Sequence, residues 1–362
     1  MTERARFANQ EADYQKLNLS DTIEPWEDGM RTSESGENFE WWYFDAHLSD
    51  GSALVITFYD KSITSPSDGL KPAITIDLDR PNGTHISNEL PFDSETFHAS
   101  HDHTDVRIAD NYFRGDLKHY DILAATQDVK AEISFDNVTP AWRPTTGYIY
   151  FGNHDQSNFS WLPATPRGEA SVKLTVNGQT ETLTGVCYHD HNWGNVQMLK
   201  VMHHWYWGRA NIDDYTVISS YITAEKKYGY QELPIFMLAK GDKILADDPQ
   251  YLTYTESDPV IDKKTQKPVH HKLEYDYNDG QQHYRVTYTW QQTVLDTRMV
   301  DLLPQPKRAL AKLAHFDGAY LRFTGDVQLE RFDGETVVET HHSVALWEEM
   351  YFGKTLPMVA KK

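Results

Sequence analysis

Tight turn signals recur along this chain between runs rich in apolar and aromatic residues, and that rhythm restricts it to an antiparallel β architecture. Asp50-Gly51, Asn177-Gly178, Asp213-Asp214, Asn278-Asp279-Gly280 and Asp333-Gly334 each stand between two such runs. Asn-Gly and Asp-Gly tolerate the positive φ of a short hairpin connection, so each signal joins two strands. The flanking runs are Glu40–Asp45 with Ala53–Tyr59, Ser171–Val176 with Thr180–Thr184, Met198–Ala210 with Tyr215–Ala224, Lys272–Tyr277 with His283–Gln291, and Val327–Phe332 with Glu335–Ser343. Ala73–Leu78, Asn111–Leu117, Ala131–Phe135, Gly147–Phe151, Ala319–Phe323 and Leu346–Phe352 add further strands. Aromatic residues make up 13% of the chain, and flat half-buried pleated surfaces suit them. Only Pro306–His315, with a proline start and good helix formers, reads as a helix.

So many strands need their edges removed, which closed or nearly closed barrels do. The 362 residues suffice for two domains. The division expected is a polar tail over 1–38, a β domain over 39–197 and a second over 198–362. No short-period repeat is present, which disfavours a propeller.

The net charge of −20 argues against nucleic acid and anionic membrane surfaces as partners. A single cysteine, Cys187, excludes an internal disulfide and fits a reducing compartment as a buried structural thiol. The N-terminal stretch is charged without an apolar core, and no window approaches 18 apolar residues. The expectation is a cytoplasmic protein without integral membrane association.

The polar run Tyr188-His189-Asp190-His191-Asn192-Trp193-Gly194 follows the Asn177-Gly178 hairpin and therefore ends a strand. Alternation sets His189, His191 and Trp193 on one face and Tyr188, Asp190 and Asn192 on the other. Such a run either lines a site or forms a satisfied polar network between two sheets. Glu40-Trp41-Trp42-Tyr43-Phe44 places aromatics on both faces of its strand, so some face a second apolar space, either a ligand cavity or a domain interface. In His203–Arg209, Trp205, Trp207 and Arg209 share a face. His98, His101 and His103 lie close in sequence, but their spacing is not that of a zinc site and cysteine is scarce; they read as a solvated loop, with no metal expected.

Together Glu40–Phe44 and Tyr188–Gly194 resemble the lipocalin-like hydratase superfamily, which includes carotenoid 1,2-hydratase, AttH-like proteins, kievitone hydratase and the fungal lipocalin-like Diels–Alderases. Ala345–Gly353 is similar to the end of the fungal members, so the resemblance runs from about Glu40 to Phe352. It implies two tandem lipocalin-like antiparallel β-barrel domains with an apolar cavity at or near their junction. The His-x-Trp pair of the hydratases maps onto His191 and Trp193, their aromatic-Arg segment onto Trp205–Arg209, and their Tyr/Asp strand onto the region of Tyr221. Ile222 and Thr223 follow Tyr221, so the acid of that strand is missing here.

Adding water to an alkene requires a proton donor in an apolar cavity and aromatic faces to stabilise the cation. His191, His189 and Asp190 are the candidates for proton transfer, with Trp193 and Tyr221 beside them. If the imidazole face meets the cavity, His191 moves the proton and Asp190 anchors the strand from behind. Glu40, Trp41, Tyr43, Tyr188, Trp205, Trp207 and Arg209 are expected to bind substrate. No Gly-rich phosphate loop or nucleophile elbow is present, and no cofactor is expected. The reading is a cofactor-independent hydratase or dehydratase acting at a C=C bond of an apolar terpenoid or phenolic small molecule. A Diels–Alderase-like cyclase or isomerase on a polyene or polyketide is the alternative, and a non-catalytic lipid or terpenoid carrier is a third reading.

Overall fold

The hairpin signals are realised as left-handed turn residues in the computed structural model, which describes residues 2–62, 66–302, 308, 317–352 and 355. Asn177 and Gly178 both take positive φ, at 50° and 80°, and join two long strands, Ser157–Val176 and Gln179–Gly194. The helix expected at Pro306–His315 lies outside the described residues, Arg308 excepted.

The chain divides into two compact units, Phe7–Met198 and Leu199–Lys362, the second also taking Met1–Arg6. In the first unit an antiparallel sheet runs in the order His85–Pro91, Ala73–Asp79, Ala53–Tyr59, Phe39–Leu48, Gln179–Gly194, Ser157–Val176, Val129–Thr139, His119–Ala125, Asn111–Gly115, Thr104–Ile108, Phe97–Ala99. Strands adjacent in sequence pair as a meander on either side of one long-range seam. There Phe39–Leu48, opening the main sheet, lies beside Gln179–Gly194, which closes it. The sheet curls on itself: Phe58 and Phe113, from strands far apart in this order, meet edge to face at 5.9 Å. Trp42, Phe44, Phe113, Tyr120 and Phe135 fill the interior, all nearly or wholly buried. Each contributes roughly 1.5–3 kcal/mol through burial.

The second unit follows the same plan. Among the described residues its sheet has nine strands, the first in sequence being Met202–Ile212 and the last Thr336–Tyr351, and these two again pair side by side. Tyr221 stacks on Tyr254 at 3.9 Å across its interior. The all-β, twin-barrel class holds in both units.

The stretch read as a polar tail does more than wrap a surface. It carries a short strand at Ala5–Phe7, a helix at Glu11–Leu17 and a 3₁₀ turn at Pro25–Asp28. Glu24 and Glu27 cap that turn reciprocally, the Glu24 backbone N–H donating to Glu27 Oε1 at 3.0 Å. With its backbone satisfied, the turn delivers Asp28 into the first barrel, where it is fully buried.

Candidate functional site

In the seam of the first unit, Gln179–Gly194 is hydrogen-bonded on both sides, to Phe39–Leu48 and to Ser157–Val176. From Cys187 to Gly194 every residue is buried, so both faces of this strand end meet protein. Strand parity sorts the polar residues into two clusters, back to back.

The inner cluster holds two imidazoles and two carboxylates. His189 Nδ1 donates to the Tyr43 carbonyl at 2.8 Å, and its Nε2 lies 3.2 Å from Asp28 Oδ2. His191 Nε2 donates to Glu40 Oε1 at 2.7 Å, and its Nδ1 stands 3.4 Å from Asp28 Oδ1. Asp28 Oδ2 also accepts from Tyr120 at 2.7 Å and from the Thr104 hydroxyl. Glu40 accepts further from the Arg31 and Thr32 backbone N–H groups at 2.6 and 3.0 Å. Burial alone would push the Asp28 carboxyl up, but the charge and hydrogen bonds of His189 and His191 outweigh it and hold Asp28 well below the carboxylate range. Burial likewise opposes a charged His191, yet its bonds to Asp28 and Glu40 raise its pKa. Aromatic rings close on both imidazoles. Trp42 stacks on His191 at 4.6 Å and Trp193 lies 4.7 Å from it, while Phe113 and Tyr120 sit 4.5 and 4.9 Å from His189. Both histidines are 0% exposed.

His189 and His191 face inward as parity requires, but into packed protein rather than an open chamber. His189 donates to the Tyr43 carbonyl and His191 to Glu40, and both imidazoles face Asp28, so they bind the N-terminal turn to the sheet. Glu40, expected to contact substrate, is a fully buried acceptor in the same network. Trp193 packs between His191 and Tyr148, whose ring is 5.4 Å away. Neither Asp28 nor its role was found from sequence; the only available signal was a Pro-Trp-Glu-Asp stretch inside otherwise polar surroundings.

The outer cluster is where Asp190 lies. Its Oδ2 accepts from the Trp161 indole and from the Tyr188 hydroxyl, each at 2.8 Å, and its Oδ1 accepts from the Asn192 amide at 2.7 Å. A carboxylate offers about four acceptor positions, so three donors leave capacity for one more. Burial raises the Asp190 pKa to about 6; the Tyr188 and Trp161 bonds and the His189 charge restrain the rise. Asp190 keeps 7% exposure. Tyr43 and Trp41, on the neighbouring strand and the same face, are half-buried, with the Tyr43 hydroxyl donating to Asp45 at 3.0 Å. Tyr188 meets the Tyr43 ring edge-on at 6.2 Å. The outer face thus combines a carboxyl poised near neutrality, a phenol, an amide and indole surfaces, the groups a proton transfer in an apolar setting requires.

The remaining expected residues belong to the second unit. Trp205, Trp207 and Arg209 share one half-buried face of Met202–Ile212, and the Trp205 indole approaches Glu348 Oε1 at 3.4 Å. Tyr221 is instead buried in that unit's core against Tyr254, where burial drives its hydroxyl pKa strongly up. Cys187 is a free buried thiol raised by burial.

A family model described as Diels-Alderase-like matches residues 32–291. The quinolone epoxide rearrangement protein asqO of Emericella nidulans is 24% identical over 192 residues, which are 50% of this chain and 53% of that protein. This chain therefore spans about half the length of that relative. Among solved structures, CghA with Sch210972 superposes with a TM-score of 0.62 at 15% identity, over 93% of this chain and 97% of that one. Kievitone hydratase from Nectria haematococca gives a TM-score of 0.55 at 12% identity, over 97% and 98% of the two chains. At such identities the likeness is one of fold.

Proposed function

This chain belongs to the Diels-Alderase-like family, and from that premise we propose that it is an enzyme of the lyase or isomerase type, acting on an apolar or phenolic small molecule with Asp190 as its proton-transfer group. The observation that carries the reading is the Asp190 carboxyl, lifted by burial to a pKa of about 6 and left with an unused acceptor position. A group that titrates near the working pH is both a competent acid and a competent base, worth ~10²–10⁴-fold in rate. In the hydration direction the acid form passes its proton to one alkene carbon. Water then bonds to the cationic carbon, and the carboxylate removes the proton that this oxygen must lose. Trp41 and Tyr43 stand in register with Asn192 and Asp190 on the neighbouring strand, and an aromatic face turned to the cation stabilises it by up to about 2 kcal/mol when desolvated. Tyr188, Trp161 and Asn192 hold the carboxyl in one orientation throughout.

A cyclisation or isomerisation on the same face is the second reading. The family match and the fold shared with CghA support it, because there the gain comes from positioning a flexible substrate. One experiment separates the two and tests both. Purified protein is incubated with extracts of its source organism in H₂¹⁸O, and the consumed and formed species are weighed by mass spectrometry. Hydration gives a product heavier than its precursor by labelled water, whereas rearrangement gives an unlabelled product of unchanged mass. Asp190→Asn is expected to abolish either conversion while the protein keeps its native circular dichroism, with a lowered melting temperature because one of the Trp161, Tyr188 and Asn192 donors loses its acceptor. Undiminished conversion by a folded Asp190→Asn protein would refute the assignment.

A further inference from the structure

The turn that delivers Asp28 to the first barrel also walls a cleft on the surface of that unit. A space of about 520 Å³ opens between the helix Glu11–Leu17, the connection over 18–24 and the turn Pro25–Asp28, with Tyr14, Leu19, Glu24, Trp26 and Glu27 in its lining. Small-molecule sites commonly occupy roughly 300–1,000 Å³. Asp190 and its three donors contribute nothing to this lining.

The cleft is braced from behind. Arg143, itself 7% exposed, donates to the Ser20 carbonyl at 2.6 Å and pairs through Nε with Glu27 Oε2 at 3.1 Å, tying two lining residues together. The Leu19 N–H donates to the Tyr14 carbonyl at 2.9 Å and folds the connection back onto the helix end. Arg31, outside the lining, sets its guanidinium 4.7 Å from the Trp26 ring and is held in turn by the Gly29 and His101 carbonyls at 2.9 and 2.6 Å. Walls ordered in advance cost a ligand little on binding.

The lining has the chemistry of a site for positive charge. It carries two carboxylates and two aromatic rings, and no lysine, arginine or histidine. Indole and phenol faces attract cations, as the Trp26 ring already does with Arg31. Glu24 is exposed, and its carboxylate is in no ion pair among the described residues. Glu27 is buried, and burial raises its pKa against the pull of Arg143 and Arg31, so one more positive charge beside it is favourable. The net charge of −20 draws cations towards the surface. A bare metal ion would gain nothing from Tyr14, Leu19 or Trp26, and no group of three metal-binding side chains stands among the described residues.

We propose that this cleft is a second binding site, for an organic ammonium ion with an apolar body, its charged group beside the Glu24 and Glu27 carboxylates and its hydrocarbon against Tyr14, Leu19 and Trp26. The site does not depend on Asp190. Such a ligand ties the helix to the turn, and so supports the segment that holds Asp28 in place.

The test titrates the full chain calorimetrically with 2-phenylethylammonium, 2-phenylethanol and 3-phenylpropionate, which share a phenyl ring on a short chain and differ in charge. About 0.15 M salt keeps the net charge of the protein from gathering cations at large. The wild type is expected to bind the ammonium ion at one site, about tenfold or more tighter than the alcohol, and to leave the carboxylate unbound. Glu24→Gln keeps an acceptor for the turn; it should weaken the ammonium ion about fivefold or more and change the alcohol by less than about twofold. Tyr14→Ala should weaken both ligands together, since it removes a ring and no charge. Asp190→Asn should leave every affinity as it was. An ammonium ion bound no tighter than the alcohol, or a preference for it that survives intact in folded Glu24→Gln, would overturn the proposal; the first comparison needs no variant and stands even if one fails to fold.

Discussion

Asp28 gathers more of the first barrel than any other side chain, accepting from Tyr120, Thr104 and His189 while facing His191 at 3.4 Å. Removing one partner from a buried charged set leaves the others uncompensated, typically at a cost of about 3–5 kcal/mol. Asp28→Asn and His191→Ala are both expected to lose stability on that scale in urea titrations; midpoints unchanged from wild type would show that the cluster does not hold the turn. Asp190 predicts a further signature, in rate. If the protonated carboxyl is the donor, turnover is flat below about pH 6 and falls about tenfold per pH unit above it. A rate that climbs through that range would assign Asp190 the role of base. The sequence made the sorting of these residues legible, because a period of two fixes which side chains share a face. It could not tell which face was core. That was decided by Asp28, some 160 residues before His189 and in a stretch whose composition is that of a surface segment.

Among the elements, the closing strand of the first unit is the most constrained. It must lie flush against two neighbours, and at Gly185 a Cβ would come within 2.4 Å of the His47 carbonyl oxygen. Backbone cannot yield as a flexible side chain does, so Gly185→Ala is expected to cost about 1–3 kcal/mol, read as a lowered melting temperature with a native circular dichroism spectrum. A stable alanine variant would mean that the seam is looser than its register implies. The hairpins were readable because their turns depend on local chemistry: Asn177-Gly178 adopts the positive φ values its residue types allow. The pairing of first strand with last was not readable, since nothing local in Glu40–Phe44 or Tyr188–Gly194 names a partner so distant. The family resemblance implied barrels without naming the strands that close them.

Taken whole, the molecule keeps protons that its unfolded chain would release. Asp60 is raised to about 8 by burial and the Glu40 charge, Asp190 to about 6 by burial, and Glu349 and His191 also stand above their ordinary values. Each favours the folded state below its unfolded pKa and loses that contribution as pH rises through the folded value. Asp28 acts oppositely, its contribution vanishing only as pH falls below 3.8. The net charge of −20 adds self-repulsion of the same sign as the first group at high pH. The melting temperature is therefore expected to fall between about pH 5 and pH 8, and Asp60→Asn to flatten part of that slope. A melting temperature that rises across this range would contradict the assignment of buried protons.

The side-by-side placement of first and last strands has a consequence for synthesis. His191 meets Glu40 at a sequence separation of 151, so a ribosome must release nearly all of the first unit before its opening aromatics find their neighbour. Until then Trp41, Trp42, Tyr43 and Phe44 emerge into the cell with an unpaired edge, and a nascent chain halted short of Tyr188–Gly194 is the species most in need of a chaperone.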